Sequence, residues 1–298
     1  MRSSLNCHIE LASTVPFALP DKATGDGMAA VTQYPGTTKY LTVSEDVTFT
    51  TDGASYQYLL SVPANSTLVI DGDGTLKLSS ARQPSKMWDT PAVLYIQGKC
   101  RIEGTVKLLG EVAAAKKTGT QTNGARAADV DAGELKVYGS PMLKGDLYQG
   151  KSNLVHIAAV TVRNAGQLYT YGGEFSVNME YSQDLIGLNN YNTSSACGLY
   201  VYYDPNRTWN SSVANDINLS GGTFHGISMM RAGKETNGDD VLHLYRMLVE
   251  DAVVWNDNTN RYCELNDSYS PHSKGYIEYY YYEGSSKKTV KDYHRTFD

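Results

Sequence analysis

The stretch Ala165–Phe175, AGQLYTYGGEF, decides the fold, because variants of it recur along the chain. One variant is Ala132–Met142, AGELKVYGSPM, and another is Ile217–Phe224, INLSGGTF. Each contains a short apolar strand, a glycine corner and the start of a second apolar strand. A phrase that recurs every 20–50 residues or so is typical of a solenoid, in which each repeat buries its apolar side chains against its neighbours.

The segments around the recurring phrase predict three short strands in each coil. Alternation of apolar and polar residues would place one set of side chains inside the coil and the other outside. Glycine suits the corners because it adopts positive φ without steric cost. The predicted strands include an apolar run (Ala92–Ile96, Leu154–Ile157, Gly198–Val201), an alternating segment (Cys100–Ile102, Leu135–Val137, Ile217–Leu219) and a segment after the corner (Thr105–Leu108, Glu174–Val177, Thr223–Ile227).

The repeats predict which residues stack on one another from coil to coil. The first residues after the corner are expected to form one apolar column of Leu76, Val106, Met142, Phe175 and Phe224. Their unequal spacing is explained by loops that insert at a corner without disturbing the stack. The predicted insertions are Ala113–Asp131 and the turn-rich stretch between Phe175 and Phe224.

These patterns predict an all-β protein, a solenoid of stacked strands with a capping segment at each end. We expect residues 1–60 to form an N-terminal cap and the first strands, and residues 61–250 to form the solenoid. Residues 251–298 would be a last coil, a cap or the start of a following module. Helical periodicity is almost absent, and its best candidate is Asp240–Asp251.

The phrases Leu94–Gly98, Leu168–Phe175 and Leu219–Phe224 resemble repeats of right-handed parallel β-helix proteins. More narrowly, they are similar to the pectate-lyase-like repeat regions of large bacterial cell-surface and adhesin-like proteins, over roughly residues 62–228. This resemblance implies an extracellular or cell-surface location and a chain that is one section of a larger protein. Such folds include polysaccharide lyases, glycoside hydrolases, phage tailspikes and non-catalytic adhesins, so the fold alone does not choose a function.

Composition and charge exclude several classes of function. The net charge of −6 disfavours a nucleic-acid partner, since phosphate binding needs clustered lysines and arginines. No run approaches 18 apolar residues, so the sequence predicts no membrane span. The four cysteines are far apart and have no metal-ligand spacing, which indicates free thiols.

Acidic residues provide only weak candidates for catalysis or metal binding. Asp239 and Asp240 follow Asn-Gly, and this element resembles the Gly-Asp-Asp of polygalacturonase-like hydrolases, but the other elements of that family are missing. Asp71 and Asp73 resemble half of a calcium loop, yet Thr75 stands where a third acid is needed. We therefore expect no catalytic residues and no cofactor, with calcium at Asp71 and Asp73 as the alternative.

Tyrosine is the one exceptional residue, with 23 copies against 5 phenylalanines and 3 tryptophans. A tyrosine ring covers apolar area while its hydroxyl stays in water, which suits contact with sugars or proteins. The predicted binding residues are Tyr200, Tyr202 and Tyr203 on one strand and Tyr279 and Tyr281 near the end. Loops 111–131 and 178–216 are further candidates for contact.

The sequence thus favours a monomeric, non-enzymatic binding or display module of a bacterial surface protein. Its expected partner is a glycan or a host or bacterial surface protein. One alternative is a polysaccharide lyase or glycoside hydrolase that acts on acidic polysaccharide. The other alternative is a structural spacer or a segment of a phage fibre.

Overall fold

The computed structural model describes residues 9–10, 38–51, 58–84, 89–150, 156–183, 195–202, 215–229, 245–249, 253–255, 274–283 and 286–296. These residues form strands and turns, with a 3-10 helix at Ala114–Lys116 and no α-helix among them. The predicted all-β class is confirmed. The best candidate for a helix, Asp240–Asp251, is not helical where the structure describes it, because Tyr245–Val249 is a strand.

In chain order, the strands of the described residues are β1 (Ile9–Glu10), β2 (Thr38–Val43), β3 (Val47–Thr51), β4 (Tyr58–Val62), β5 (Thr67–Gly72), β6 (Thr75–Ser80), β7 (Ala92–Ile96), β8 (Lys99–Ile102), β9 (Lys107–Val112), β10 (Asn123–Asp131), β11 (Glu134–Val137), β12 (Met142–Gln149), β13 (His156–Arg163), β14 (Gln167–Tyr181), β15 (Ser195–Tyr202), β16 (Asn215–His225), β17 (Ile227–Met229), β18 (Tyr245–Val249), β19 (Val253–Trp255), β20 (Lys274–Glu283) and β21 (Ser286–Thr296).

Strands β2 to β19 wind into a parallel solenoid, in which the chain visits three columns of stacked strands in turn. The first column contains β2, β5, β8, β11, the first parts of β14 and β16, and β18. The second column contains β3, β6, β9, β12, the later parts of β14 and β16, and β19. The third column contains β4, β7, β10, β13, β15 and β17.

One strand from each column makes one rung, and neighbouring rungs pair in parallel at the usual strand spacing of about 4.8 Å. The predicted β-helix is therefore confirmed as a parallel β-solenoid. Its right-handed winding stays a prediction, in line with the right-handed crossovers that parallel strands almost always make.

Alternation along the strands builds the interior of the solenoid. In β11, Leu135 and Val137 are buried, whereas Glu134 and Lys136 are partly exposed. Leu135 pairs in register with Cys100 of β8 and with Leu168 of β14, and all three belong to one apolar core. The repeat therefore stacks equivalent side chains into ladders, as the sequence pattern predicts.

The predicted second-column ladder is partly confirmed. Its residues, in register and buried, are Leu76, Leu108, Leu143, Phe175 and Phe224. The rings of Phe175 and Phe224 stack with centroids 4.2 Å apart. The assignment of Val106 and Met142 to this ladder is wrong, because Val106 precedes β9 and Met142 pairs with Lys107 and Glu174, one position before the ladder.

Glycines form a stacked corner between the first and second columns. A Cβ added to Gly104 would lie 2.6 Å from the carbonyl oxygen of Gly72, and one added to Gly139 would lie 2.5 Å from that of Gly104. At Gly172 the corresponding distance, to Gly139, is 2.0 Å. Gly104 and Gly139 also have φ of +69°. The corner therefore requires glycine for close approach of the rungs as well as for backbone conformation.

The predicted insertion at Ala113–Asp131 is wrong in its second half, because Asn123–Asp131 is β10, a full strand of the third column. All nine residues of β10 are buried, so its sequence does not alternate as a half-exposed strand does.

Residues 114–122 do connect two strands, and Lys117 anchors them. Its Nζ lies 2.8 Å from Asp146 Oδ2 and 3.3 Å from Glu180 Oε2. Burial alone would lower the pKa of Lys117, but the bonds to both carboxylates outweigh it and raise that pKa.

The two ends of the chain carry further strands. Strand β1 pairs antiparallel with β2, and β2 and β3 already stack in the solenoid columns. Strands β20 and β21 form a separate antiparallel hairpin. The boundaries at residues 60 and 250 and the capping roles of the flanks stay predictions.

Candidate functional site

The outer face of the first column carries polar and aromatic side chains that lie in register from rung to rung. Lys136 of β11 pairs with Arg101 of β8 on one side and with Tyr169 of β14 on the other. A second ladder beside it contains Thr67, Lys99, Glu134 and Gln167. The outer face of the column is thus polar, whereas its inner face is apolar.

Three rungs contribute a continuous stack of side chains on this face. The rings of Tyr138 and Tyr171 stack with centroids 4.7 Å apart and planes 10° apart. From the preceding rung, the guanidinium carbon of Arg101 lies 4.6 Å from the centroid of Tyr138. Arg101 also forms an ion pair with Glu103. Cation–π and ring-stacking contacts of this kind hold the tyrosine rings in fixed orientations.

Glycine in the next rung leaves the end of this stack open. Gly221 of β16 pairs with Tyr171, and a Cβ on Gly221 would lie 2.6 Å from the carbonyl oxygen of Tyr171. A side chain is therefore excluded at this point of β16. Tyr171 is 49% exposed, and much of its ring is available to a ligand.

Tyr169 extends the aromatic surface along β14. Its ring centroid lies 5.3 Å from Nζ of Lys136, and its hydroxyl donates a 3.0 Å hydrogen bond to Asp216 Oδ2. We call Tyr138, Tyr169 and Tyr171 the aromatic strip. Each ring of the strip has a partner that fixes it before any ligand arrives.

A polar groove of about 430 Å³ lies where the third column turns into the first. We call it the corner groove. It is lined by Asn65, Ser66, Thr67, Gln97, Gly98, Lys99, Ala132, Gly133, Glu134 and Gln167. Lys99, Glu134 and Gln167 also belong to the outer ladders of the first column, so the groove and the aromatic strip are parts of one surface.

The outer face of the third column brings carboxylates and guanidinium groups together, but it buries them. Arg163 donates hydrogen bonds of 3.0 Å to both oxygens of Asp129, and its Nη2 lies 3.3 Å from Asp131 Oδ2. The hydroxyl of Tyr95 donates a 2.6 Å bond to Asp131, and that of Tyr58 a 3.3 Å bond to Asp129. Both aspartates have 0% exposure, so this arrangement is a buried ion-pair network and not a groove for a polymer.

Burial raises the pKa of Cys100 to about 12, and burial together with the Asp129 charge raises that of Tyr58. In the unfolded chain these groups ionise near 9 and 10. The folded state therefore keeps protons that the unfolded state releases, and its stability falls as the pH rises through this range. Each group should contribute a slope of about 1.4 kcal/mol per pH unit.

We expect denaturant unfolding to show constant stability near neutral pH and a steady loss above pH 9, where the Cys100 thiol begins to ionise in the unfolded chain. Cys100→Ala should remove the part of the slope between pH 9 and pH 10, since Tyr58 contributes only above 10. An unchanged slope in this variant would contradict the assignment of the loss to the buried thiol.

The structure places the tyrosines predicted to bind as follows. Tyr200 pairs with Thr161 on the third column and is only 2% exposed, so its ring is not on the molecular surface. Tyr202 lies in β15, and Tyr279 and Tyr281 lie in β20, where only the backbone is described. Tyr203 lies outside the described residues. Of the five, only the Tyr200 side chain is described, and it lies outside the aromatic strip. Binding roles for all five tyrosines stay predictions.

Two of the four acidic candidates, Asp71 and Asp73, lie in the described part of the chain. Asp71 is exposed, and its Oδ1 accepts a 2.7 Å bond from the backbone N–H of Gly72. Asp73 is exposed in the following turn. Within the ranges that the structure describes, no group of three or more His, Cys, Asp or Glu could hold a metal ion. Asp239 and Asp240 lie outside those ranges. Calcium at Asp71 and Asp73 stays a prediction.

None of the three tyrosines of the aromatic strip is among those that the sequence analysis predicts to bind. The repeated phrase nevertheless indicates that two of them stack. Tyr138 and Tyr171 occupy the same place in two copies of the phrase, immediately before Gly139 and Gly172. Equivalent places in adjacent copies stack in a solenoid, so two tyrosines there must meet.

Comparison with protein-family models, with curated proteins and with solved structures found no match. Among the described residues, no helix has the length and hydrophobicity needed to cross a membrane. The functional argument therefore depends on the site itself.

Proposed function

We propose that this chain is an extracellular binding module that holds a glycan against the outer face of the first column. The observation that carries the proposal is the open ring of Tyr171, which is 49% exposed and stacked on Tyr138. Sugar rings have apolar faces that pack on aromatic rings and hydroxyls that need polar partners. The aromatic strip and the corner groove offer both kinds of contact on one surface.

The same surface fits a glycan better than a protein partner. Cores of protein interfaces are depleted in lysine and glutamate, whereas Lys136 and Glu134 lie beside the aromatic strip. Charged and amide groups of this kind suit the hydroxyls of a sugar. Their mixture of signs gives the surface no strong preference for a highly charged polymer.

Ordering of the strip before binding supports its use as a recognition surface. Tyr138 is held between Arg101 and Tyr171, and the Tyr169 hydroxyl is held by Asp216. Little side-chain entropy is then lost when a ligand binds. A single contact of this type is weak, so affinity would come from several contacts along the rungs and from several copies on one cell surface.

The buried network on the third column gives the enzymatic alternative little support. Asp129 and Asp131 are two carboxylates that share one basic partner, Arg163, and both are fully buried. A glycosidase needs its two carboxyl groups on either side of the bound sugar. We therefore favour binding over cleavage.

Tyr171→Ala should weaken glycan binding by about three- to tenfold, since stacking of this kind is worth about 0.5–1.5 kcal/mol. Titration calorimetry or ligand-observed NMR with a panel of oligosaccharides measures the change. Tyr40→Ala is the matched control, because Tyr40 is 46% exposed on the same column and is not part of the aromatic strip. Equal losses in the two variants, or no loss at Tyr171, would count against the proposal.

A further inference from the structure

Ser66, at the corner groove, carries a buried hydroxyl whose hydrogen bonding the described residues do not satisfy. Its side chain is 3% exposed, and its Oγ has no hydrogen-bond partner among the described residues. Ser66 also lines the groove. Most buried hydroxyl groups in native proteins have a partner, and because this one belongs to a residue that lines a groove, a ligand in the groove would supply that partner.

The rest of the lining indicates what that ligand is. Asn65, Gln97 and Gln167 each bring a carboxamide, which can donate and accept. Glu134 forms a 3.2 Å ion pair with Lys136, and Lys99 lies beside Glu134 in register across β8 and β11, so the lining carries charges of both signs. An anionic sugar would meet the Glu134 carboxylate. The lining therefore suits a neutral group that is rich in hydroxyls.

The groove also lies within reach of the aromatic strip. Glu134 lines the groove, and Tyr138 follows four positions later, directly after the end of β11. At about 3.3 Å per residue the two are roughly 13 Å apart along the strand. An oligosaccharide of a few units that runs along β11 would contact both.

We propose that the corner groove is a second subsite, which binds one neutral saccharide unit through the Ser66 hydroxyl and the surrounding carboxamides. This inference rests on the proposed glycan-binding function and adds the ligand class and the second point of contact. The aromatic strip would bind the apolar face of one unit, and the groove would bind the hydroxyls of another.

The full chain is titrated by calorimetry with cellohexaose, xylohexaose, mannohexaose and hexagalacturonate. We expect at least one neutral hexaose to bind and to bind more tightly than hexagalacturonate. Ser66→Ala should weaken that binding by about three- to tenfold, as loss of one hydrogen bond does. It should not lower the melting temperature, because it removes a hydroxyl that has no partner in the described structure.

Thr90→Val is the matched control, because the Thr90 hydroxyl is also buried, has no hydrogen-bond partner among the described residues and lies outside the groove. The Thr90→Val variant should bind the hexaose with the same affinity as the wild type. Binding that falls in Tyr171→Ala but not in Ser66→Ala would overturn the groove and keep the proposed function. Binding that falls in Ser66→Ala but not in Tyr171→Ala would support the groove as a binding site and overturn the binding role of the aromatic strip. No binding of any hexaose, or equal losses in Ser66→Ala and Thr90→Val, would overturn the groove proposal.

Discussion

Replacement of Asp129 by asparagine is expected to lower the free energy of unfolding by about 3–5 kcal/mol. The Asp129 carboxylate is 0% exposed and accepts two 3.0 Å hydrogen bonds from Arg163. It also accepts a bond from Tyr58 and lies 3.9 Å from Nη1 of Arg126. Without its charge, the buried guanidinium groups of Arg163 and Arg126 would each lose a carboxylate partner, and Arg163 would keep Asp131. Denaturant unfolding followed by circular dichroism measures the loss.

Lys77→Met provides the control for this prediction. Lys77 and Glu111 form a 3.0 Å ion pair whose side chains are 29% and 40% exposed, so solvent screens it. Its loss should cost less than about 1 kcal/mol. If Asp129→Asn cost no more than Lys77→Met, the buried network would not be what stabilises the outer face of the third column.

Gly139→Ala is expected to cost about 2–5 kcal/mol, the second large effect. Part of the loss, about 1–2 kcal/mol, comes from the φ of +69°, which is unfavourable for a residue with a Cβ. A further 1–3 kcal/mol or so comes from crowding, because the new Cβ would lie 2.5 Å from the carbonyl oxygen of Gly104. The rungs would have to move apart at a corner where they are hydrogen-bonded.

Gly119→Ala separates the two causes. Gly119 has nearly the same φ, +73°, but a Cβ there would have nothing within 4 Å. This variant should lose only the conformational part, about 1–2 kcal/mol. Equal losses at Gly119 and Gly139, measured by the same unfolding experiment, would show that the glycine corner is not tightly stacked.

Much of the solenoid can be predicted from the sequence because two local rules repeat in every rung. Alternation identifies the inward residues, such as Leu135 and Leu168, and glycine identifies the corner, as at Gly139 and Gly172. Both rules act within a few residues. Strand β10 does not follow these rules, because both of its faces are buried. Its small and charged residues are therefore typical of a loop sequence and not of an alternating strand.

The candidate site is harder to predict, since it depends on which outer face is covered. The sequence gives no reason to prefer one column over another. Tyr200 lies on the covered third column and Tyr171 on the open first column, yet both follow the same alternation. The corner groove is harder still, because Ser66, Gln97 and Glu134 come from three different rungs. Only the register of the rungs brings them together.

The most direct test of the account is a map of where a glycan touches the solenoid. Backbone amide shifts are recorded by transverse-relaxation-optimised NMR while the tightest-binding hexaose of the panel is added. The account predicts that shifts concentrate at β8, β11 and β14, around Lys99, Glu134 and Tyr171. Shifts confined to the third column or to the β20–β21 hairpin would contradict it.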